Sequence, residues 1–120
     1  MKVPLEIKFR GLDPSEFIKR LVEEKVAKLE HLDARLISCH VAIERVQESH
    51  HKGNPYRVRI DLLMPPGHEL VIREESAKGQ VHDSLPQLVR NAFRSAQRQL
   101  TAAKERLRHD VKKHIQAEAE

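Results

Sequence analysis

With 120 residues, 33% of them charged and 39% apolar, the chain has the composition of one folded domain with a highly charged surface and is too short for two cores. Its formal net charge is +4, and with no Trp, one Tyr and three Phe the core must be built from Leu, Ile, Val and Ala. The single Cys39 excludes an internal disulfide and a cysteine zinc site, and no apolar run approaches the ~18 residues of a membrane span.

The first predicted element is a half-buried strand over residues 4–10, where Leu5, Ile7 and Phe9 alternate with Glu6, Lys8 and Arg10. The DPSE that follows predicts a helix start, with Asp13 as N-cap, Pro14 in the first helical position and Glu16 closing a capping box. That helix is expected to run to about His31 and to bury Phe17 or Ile18, then Leu21, Val22, Val26 and Leu29.

Residues 36–46 predict a second strand, with Ile37, Cys39, Val41 and Ile43 inward and Ser38, His40, Ala42 and Glu44 outward. Gly53, Asn54 and Pro55 punctuate the chain before a third strand over 56–63, in which Tyr56, Val58, Ile60 and Leu62 face inward. A turn at MPPGHE leads to a fourth strand, LVIREE. A second helix then opens at an N-cap on Asp83 or Ser84, with Pro86 tolerated in its first turn. The terminal residues 115–120 are expected to fray, leaving residues 3–114 as a single domain.

The order β-α-β-β-β-α gives an α+β fold, a two-layer sandwich in which two helices cover one face of a four-stranded sheet. Lys8, His40, Arg57 and Arg59 fall on the other face, open to water or a partner.

Charge is unevenly spread along the chain. Residues 1–33 hold seven basic and seven acidic side chains, whereas 81–120 hold eight against five, and between 86 and 115 the only acids are Glu105 and Asp110. On the last helix Ala92, Phe93, Ala96, Leu100, Ala103, Leu107 and Val111 form the apolar stripe. At about 100° per residue, Arg90, Arg94, Arg98, Lys104, Arg108 and Lys112 form a band turned away from it. A surface helix held for solubility alone normally interleaves acids as i,i+4 partners. A band without them suits phosphate contacts on structured RNA, since no aromatic stacking platform lies beside it and no helix-turn-helix, zinc finger or basic zipper fits the element order.

The residues ask for no enzyme, cofactor, metal or small-molecule substrate. His50 and His51, with His68 and His82, lie in loops without an HExxH-type pattern, and adjacent histidines on a strand point apart. Cys39 shares its strand face with Val41 and Ile43, as a core residue does. The four glycines are spread one per turn and form no phosphate-cradling loop.

Three stretches then carry a resemblance: EKVAKLEHLDARLISCHVAIE, YRVRIDLLMPPGHELVIREE, and the RQL and AKERL portions of the last helix. In this order and spacing the chain resembles the ribosome hibernation-promoting factor family, also called ribosome-associated inhibitor A or sigma-54 modulation proteins. The HHKGN turn and the DVK-H ending resemble a short subgroup of it. The resemblance implies a layout like that of double-stranded RNA-binding domains and a place on the small ribosomal subunit, where messenger and transfer RNA would lie. It implies a cytoplasmic, bacterial protein that silences idle ribosomes in starvation or stationary phase, binds 16S-type ribosomal RNA as a monomer, and has no membrane partner.

The RNA-binding positions implied on the first helix are Lys19, Lys25 and Lys28. On the last helix the family's basic positions fall on Ser95, Arg98, Ala102 and Arg106, so two lack charge here; Arg90, Arg94 and Lys104, about one turn away, are expected to replace it, and Arg108 extends the band. The family's usual opening of that helix is replaced by Ser84, Pro86, Gln87 and Leu88. The second domain that long members use to pair ribosomes has no counterpart, so pairing by that route is not expected. The alternative reading is a regulatory protein-interaction module, such as a transcription modulator, whose basic band is its solvated face.

Overall fold

The computed structural model describes residues 3–45, 56–76 and 84–119, with the side chains of the last helix described through Arg106 and at Arg108. The elements are β1 (Leu5–Arg10), α1 (Glu16–Leu32), β2 (Ser38–Arg45), β3 (Tyr56–Met64), β4 (His68–Glu75) and α2 (Leu85–Ala119). This is the α+β arrangement expected from the sequence. The sheet order is β1-β2-β3-β4, with β1 and β2 parallel and the other pairs antiparallel. Parallel neighbours need a crossover, and α1 supplies it.

The register aligns like with like. Ile7, Val41, Ile60 and Ile72 form one inward row across all four strands. Because side chains alternate along a strand, this register turns every second residue toward the helices. Onto this face α1 packs Ile18, Leu21, Val22, Val26 and Leu29, while α2 packs Leu88, Val89, Ala92, Phe93, Ala96, Leu100 and Ala103. Phe93 is the one aromatic among the described buried residues, so aliphatic side chains fill the core.

Two local expectations are corrected and two alternatives are resolved. Ser15, not Asp13, caps α1: its backbone is extended and its Oγ accepts a hydrogen bond from the Ile18 N–H at 3.3 Å. Both residue types cap well, but only Ser15 stands immediately before the first helical residue. Of the two candidates at the start of the buried stripe, Ile18 is buried and Phe17 stands 60% exposed. Ile37 is 43% exposed because it lies outside the first residue of β2, although its N–H still donates to Leu63 O at 2.8 Å. At α2 the choice between two caps falls on Ser84, whose Oγ accepts from the Gln87 N–H at 3.3 Å; Asp83 lies outside the described residues. The turn after β1 needs glycine: Gly11 has φ +74°, and a Cβ there would meet Arg45 O at 2.8 Å.

The C-terminus of α1 is tied to α2 by a polar clamp. Lys104 Nζ on α2 donates to Leu32 O at 2.7 Å, placing a cation on the negative end of the α1 dipole. Asp33 next to it is only 2% exposed. Its N–H donates to Leu29 O at 3.0 Å, and its carboxylate accepts from the Arg35 backbone N–H at 3.0 Å and from Arg35 Nε at 3.2 Å. Burial alone would raise the Asp33 pKa, but the Arg35 hydrogen bonds and the charges of Arg35 and Lys104 outweigh it and hold the carboxyl below its ordinary value.

A depressed carboxyl pKa stabilises the fold where the group is ionised. The Asp33 contribution is therefore full above pH 3.8, the carboxyl's ordinary value, and is lost as pH falls through the lower folded value. Asp33→Asn is expected to cost about 1–3 kcal/mol at pH 7. Urea titrations from pH 7 downward should show the gap between parent and variant closing in strong acid.

Candidate nucleic-acid interface

The outward faces of α1 and α2 form one surface with positive charge at its middle. Arg94 and Arg98 each stand nine residues from a buried residue, Ala103 and Val89, which at 100° per residue is half a turn away. The packing of one face therefore drives these guanidinium groups to the opposite one. Arg90, Arg94, Arg98, Arg106 and Arg108 are all exposed, and among the described residues none of them makes an ion pair. A shallow depression of about 460 Å³ lies along this face, lined by Arg94, Gln97, Arg98, Thr101, Ala102 and Glu105.

The two helices bring basic residues together where they meet. Lys25 on α1 is held below its ordinary pKa, first by partial desolvation and then by the charges of Lys28 and, across the helix boundary, Arg90; Glu24 opposes the shift. Lys28 keeps only a distant partner, Glu24 at 4.0 Å. Like charges held together at a cost, with Glu24 the one carboxylate acting on Lys25, suit a polyanion better than water.

The other sequence-derived positions do not all converge. Lys104, read from spacing as part of the outer band, lies instead at the α1 edge of α2, where its Nζ is engaged by Leu32 O. Arg106 stands twelve residues from Arg94, about 120° around the helix, on a flank of the band. Lys19 is nine residues from Lys28, half a turn away on α1, and pairs with Glu16 at 3.4 Å. Lys112 lies beyond the described side chains. Arg20 was not among the sequence-derived candidates, yet it is exposed and half a turn from buried Leu29. Its spacing from Leu29 was the signal available in the sequence.

The open face of the sheet is charged differently. Lys8 pairs with Glu6 at 3.5 Å, His40 Nδ1 with Glu6 at 3.0 Å, Arg57 with Glu75 at 3.0 Å and Arg59 with Asp61 at 3.0 Å. All four basic residues expected on this face are thus matched by carboxylates. A long polyanion laid over it would meet those acids, whereas the outward face of α2 carries one among the described side chains, Glu105; on α1, Glu16, Glu23 and Glu24 are exposed beside the basic residues.

Among the described residues, no three His, Cys, Asp or Glu side chains gather as metal ligands. His68 opens β4 and is exposed, while His50, His51 and His82 lie outside the described residues. Cys39 is fully buried, and desolvation, with the nearby Asp61 charge, pushes its thiol up to about 12, far from nucleophile chemistry. No helix among the described residues is long and apolar enough to cross a membrane.

Comparison with known proteins identifies the family and the fold. The family model described as Sigma 54 modulation protein / S30EA ribosomal protein fits residues 5–108. A ribosomal subunit interface protein from Coxiella burnetii superposes with a TM-score of 0.69 at 16% identity, covering 86% of this chain and 99% of that one. The N-terminal domain of Protein Y from Thermus thermophilus superposes with a TM-score of 0.64 at 21% identity, covering 85% and 98%. At these identities the two structures speak for the fold. No curated protein sequence matches the chain.

Lys25→Gln removes the charge that Lys28 and Arg90 oppose. The variant is expected to gain a few tenths of a kcal/mol, about 1–2 °C in melting temperature, and to bind RNA more weakly. Thermal denaturation and a filter-binding titration at fixed salt check the two signs.

Proposed function

The chain belongs to the Sigma 54 modulation protein / S30EA ribosomal protein family, and from that membership we propose that it is a ribosome-associated, non-enzymatic inhibitor of translation. In this reading residues 3–114 act as one domain in the cytoplasm. The α1–α2 surface lies on small-subunit ribosomal RNA in the channel for messenger and transfer RNA, and the bound monomer keeps idle ribosomes silent under stress. The observation that carries the reading is the contrast between two basic surfaces of one molecule. The sheet-face cations expected from the sequence are paired with acids, while Arg90, Arg94 and Arg98 have no ion-pair partner among the described residues.

Lys25, Lys28, Arg90, Arg94, Arg98 and Arg108 supply the main phosphate contacts, with Arg20, Lys19 and Arg106 at the flanks. Lys104 contributes by holding α1 against α2. Guanidinium groups on a rigid helix give position and affinity through phosphates rather than reading bases, which suits a fixed, structured RNA.

Six to eight phosphate contacts make the affinity fall by roughly three to five decades between 50 and 200 mM salt. Replacing Arg90, Arg94 and Arg98 together by Glu should abolish co-sedimentation with small ribosomal subunits at every salt concentration while leaving the circular dichroism spectrum unchanged. Bound messenger and initiator transfer RNA should prevent association of the parent protein. Retained binding by the folded triple variant, or an association that survives nuclease digestion of the ribosomes, would overturn the reading in favour of a protein partner.

A further inference from the structure

We propose that the open face of the sheet carries a second, separate site, for a compact oxyanion of the phosphate class, centred on Ala42 between Lys8, Arg59 and Arg73. The strand register sets these residues in one row: Lys8 opposite Ala42, Ala42 opposite Arg59, and Arg59 opposite Arg73. The row carries three cations and no carboxylate; from the flanking row Glu6 pairs with Lys8 at 3.5 Å and Asp61 with Arg59 at 3.0 Å, and Arg73 is left without an ion pair among the described residues. Ala42 is its one short side chain, so the surface dips there. The dip forms part of a depression of about 270 Å³, and an adjoining one of about 240 Å³ shares Ala42, Arg59 and Arg10 with it.

The row breaks the rule its neighbour keeps. Arg10, Glu44, Arg57 and Glu75 alternate in sign across the same four strands, as cross-strand stability favours. Arg59 directly opposite Arg73 is instead a like-charge pair, which costs stability unless something negative lies between. Arg10 and Arg73 make no ion pair among the described residues. Arg59 reaches Asp61 through Nε, so that bond leaves its terminal amino groups for another acceptor. Guanidinium forks at this spacing are well suited to tetrahedral oxyanions.

The surroundings fix the size of the ligand. Strand spacing makes the row about 14 Å long, and the rows on either side lie about 7 Å away. One flanking row carries Glu6 and Asp61, the other Glu44 and Glu75. A polynucleotide crossing the sheet would run into these acids, whereas one phosphoryl group, free or carried by a small molecule, fits between them.

The test is a titration of the isotope-labelled full chain, followed by amide NMR, with inorganic phosphate and with glycerol phosphate against chloride at matched ionic strength. Saturable shifts confined to the amides around Ala42, Arg59 and Arg73 are expected with one or both phosphates. Tighter binding of glycerol phosphate would point to a phosphorylated small molecule, and equal binding to free phosphate. Arg73→Gln and Arg59→Gln should each weaken binding by about tenfold to a hundredfold, and Arg73→Gln should raise the melting temperature in phosphate-free buffer. Arg57→Gln, in the neighbouring row, should bind like the parent. Replacement of Arg90, Arg94 and Arg98 by Glu should also leave the site intact, so loss of ribosome binding and loss of this site are separable. The proposal is overturned if the phosphate shifts match those in chloride, persist in Arg73→Gln, or are displaced by an RNA oligonucleotide competing for the same amides.

Discussion

A four-stranded sheet with one apolar face has to be covered, and this chain has two helices with which to cover it. Ile7, Val41, Ile60 and Ile72 lie in one inward row, so α1 and α2 must both settle on the same side. Once they do, the orientation of each helix about its own axis is set by its buried stripe. The outward charges then have fixed positions: Arg94 lies opposite Ala103, Arg98 opposite Val89 and Arg20 opposite Leu29. The position of the basic surface is thus a by-product of core packing, and a rigid one. The Lys104–Leu32 contact joins the two helices, and the Asp33–Arg35 cluster holds the chain just beyond α1.

The same constraint divides the electrostatics. Helix charges lie on a convex surface where neighbours are three or four residues apart in one chain, so a run such as Arg90, Arg94 and Arg98 stays together whatever the rest of the sequence does. Sheet charges have neighbours from other strands, and their signs are set row by row. One row alternates in sign and pairs Arg57 with Glu75, while the next gathers Lys8, Arg59 and Arg73. A surface of nearly balanced composition thereby holds a local excess one row wide. The helical surface, by contrast, holds an excess along several turns. The two have different reach, and they select for anions of different length.

Much of this was legible in the residues. Leu5, Ile7 and Phe9, and again Val58, Ile60 and Leu62, alternate cleanly enough to fix strands and their inward faces, and the 3.6-residue spacing of Ala92, Phe93, Ala96 and Leu100 fixed the dry face of α2. The family resemblance was legible too, in stretches that span both layers. What escaped was decided by contacts between distant segments. Lys104 has the spacing of a surface lysine, and only the C-terminus of α1 makes it a cap. Lys25 and Arg90 are 65 positions apart, so their proximity could not be read from either helix alone. The row of Lys8, Arg59 and Arg73 needs the register of three strand pairings, which no local pattern supplies. At the start of α1 two capping residues competed, and the geometry of one peptide unit chose Ser15.

The parallel pairing of β1 with β2 makes the connections within the sheet unequal in length. Strands β2, β3 and β4 form a meander whose neighbours are close in sequence, so their ladders can close early at small entropic cost. Strand β1 reaches β2 only through the α1 crossover, so pairing Leu5 with Cys39 closes a longer stretch of chain. The surface formed by α1 and α2 exists only while both helices cover the apolar face of the sheet. In this fold the basic surface and the burial of the core depend on the same two helices.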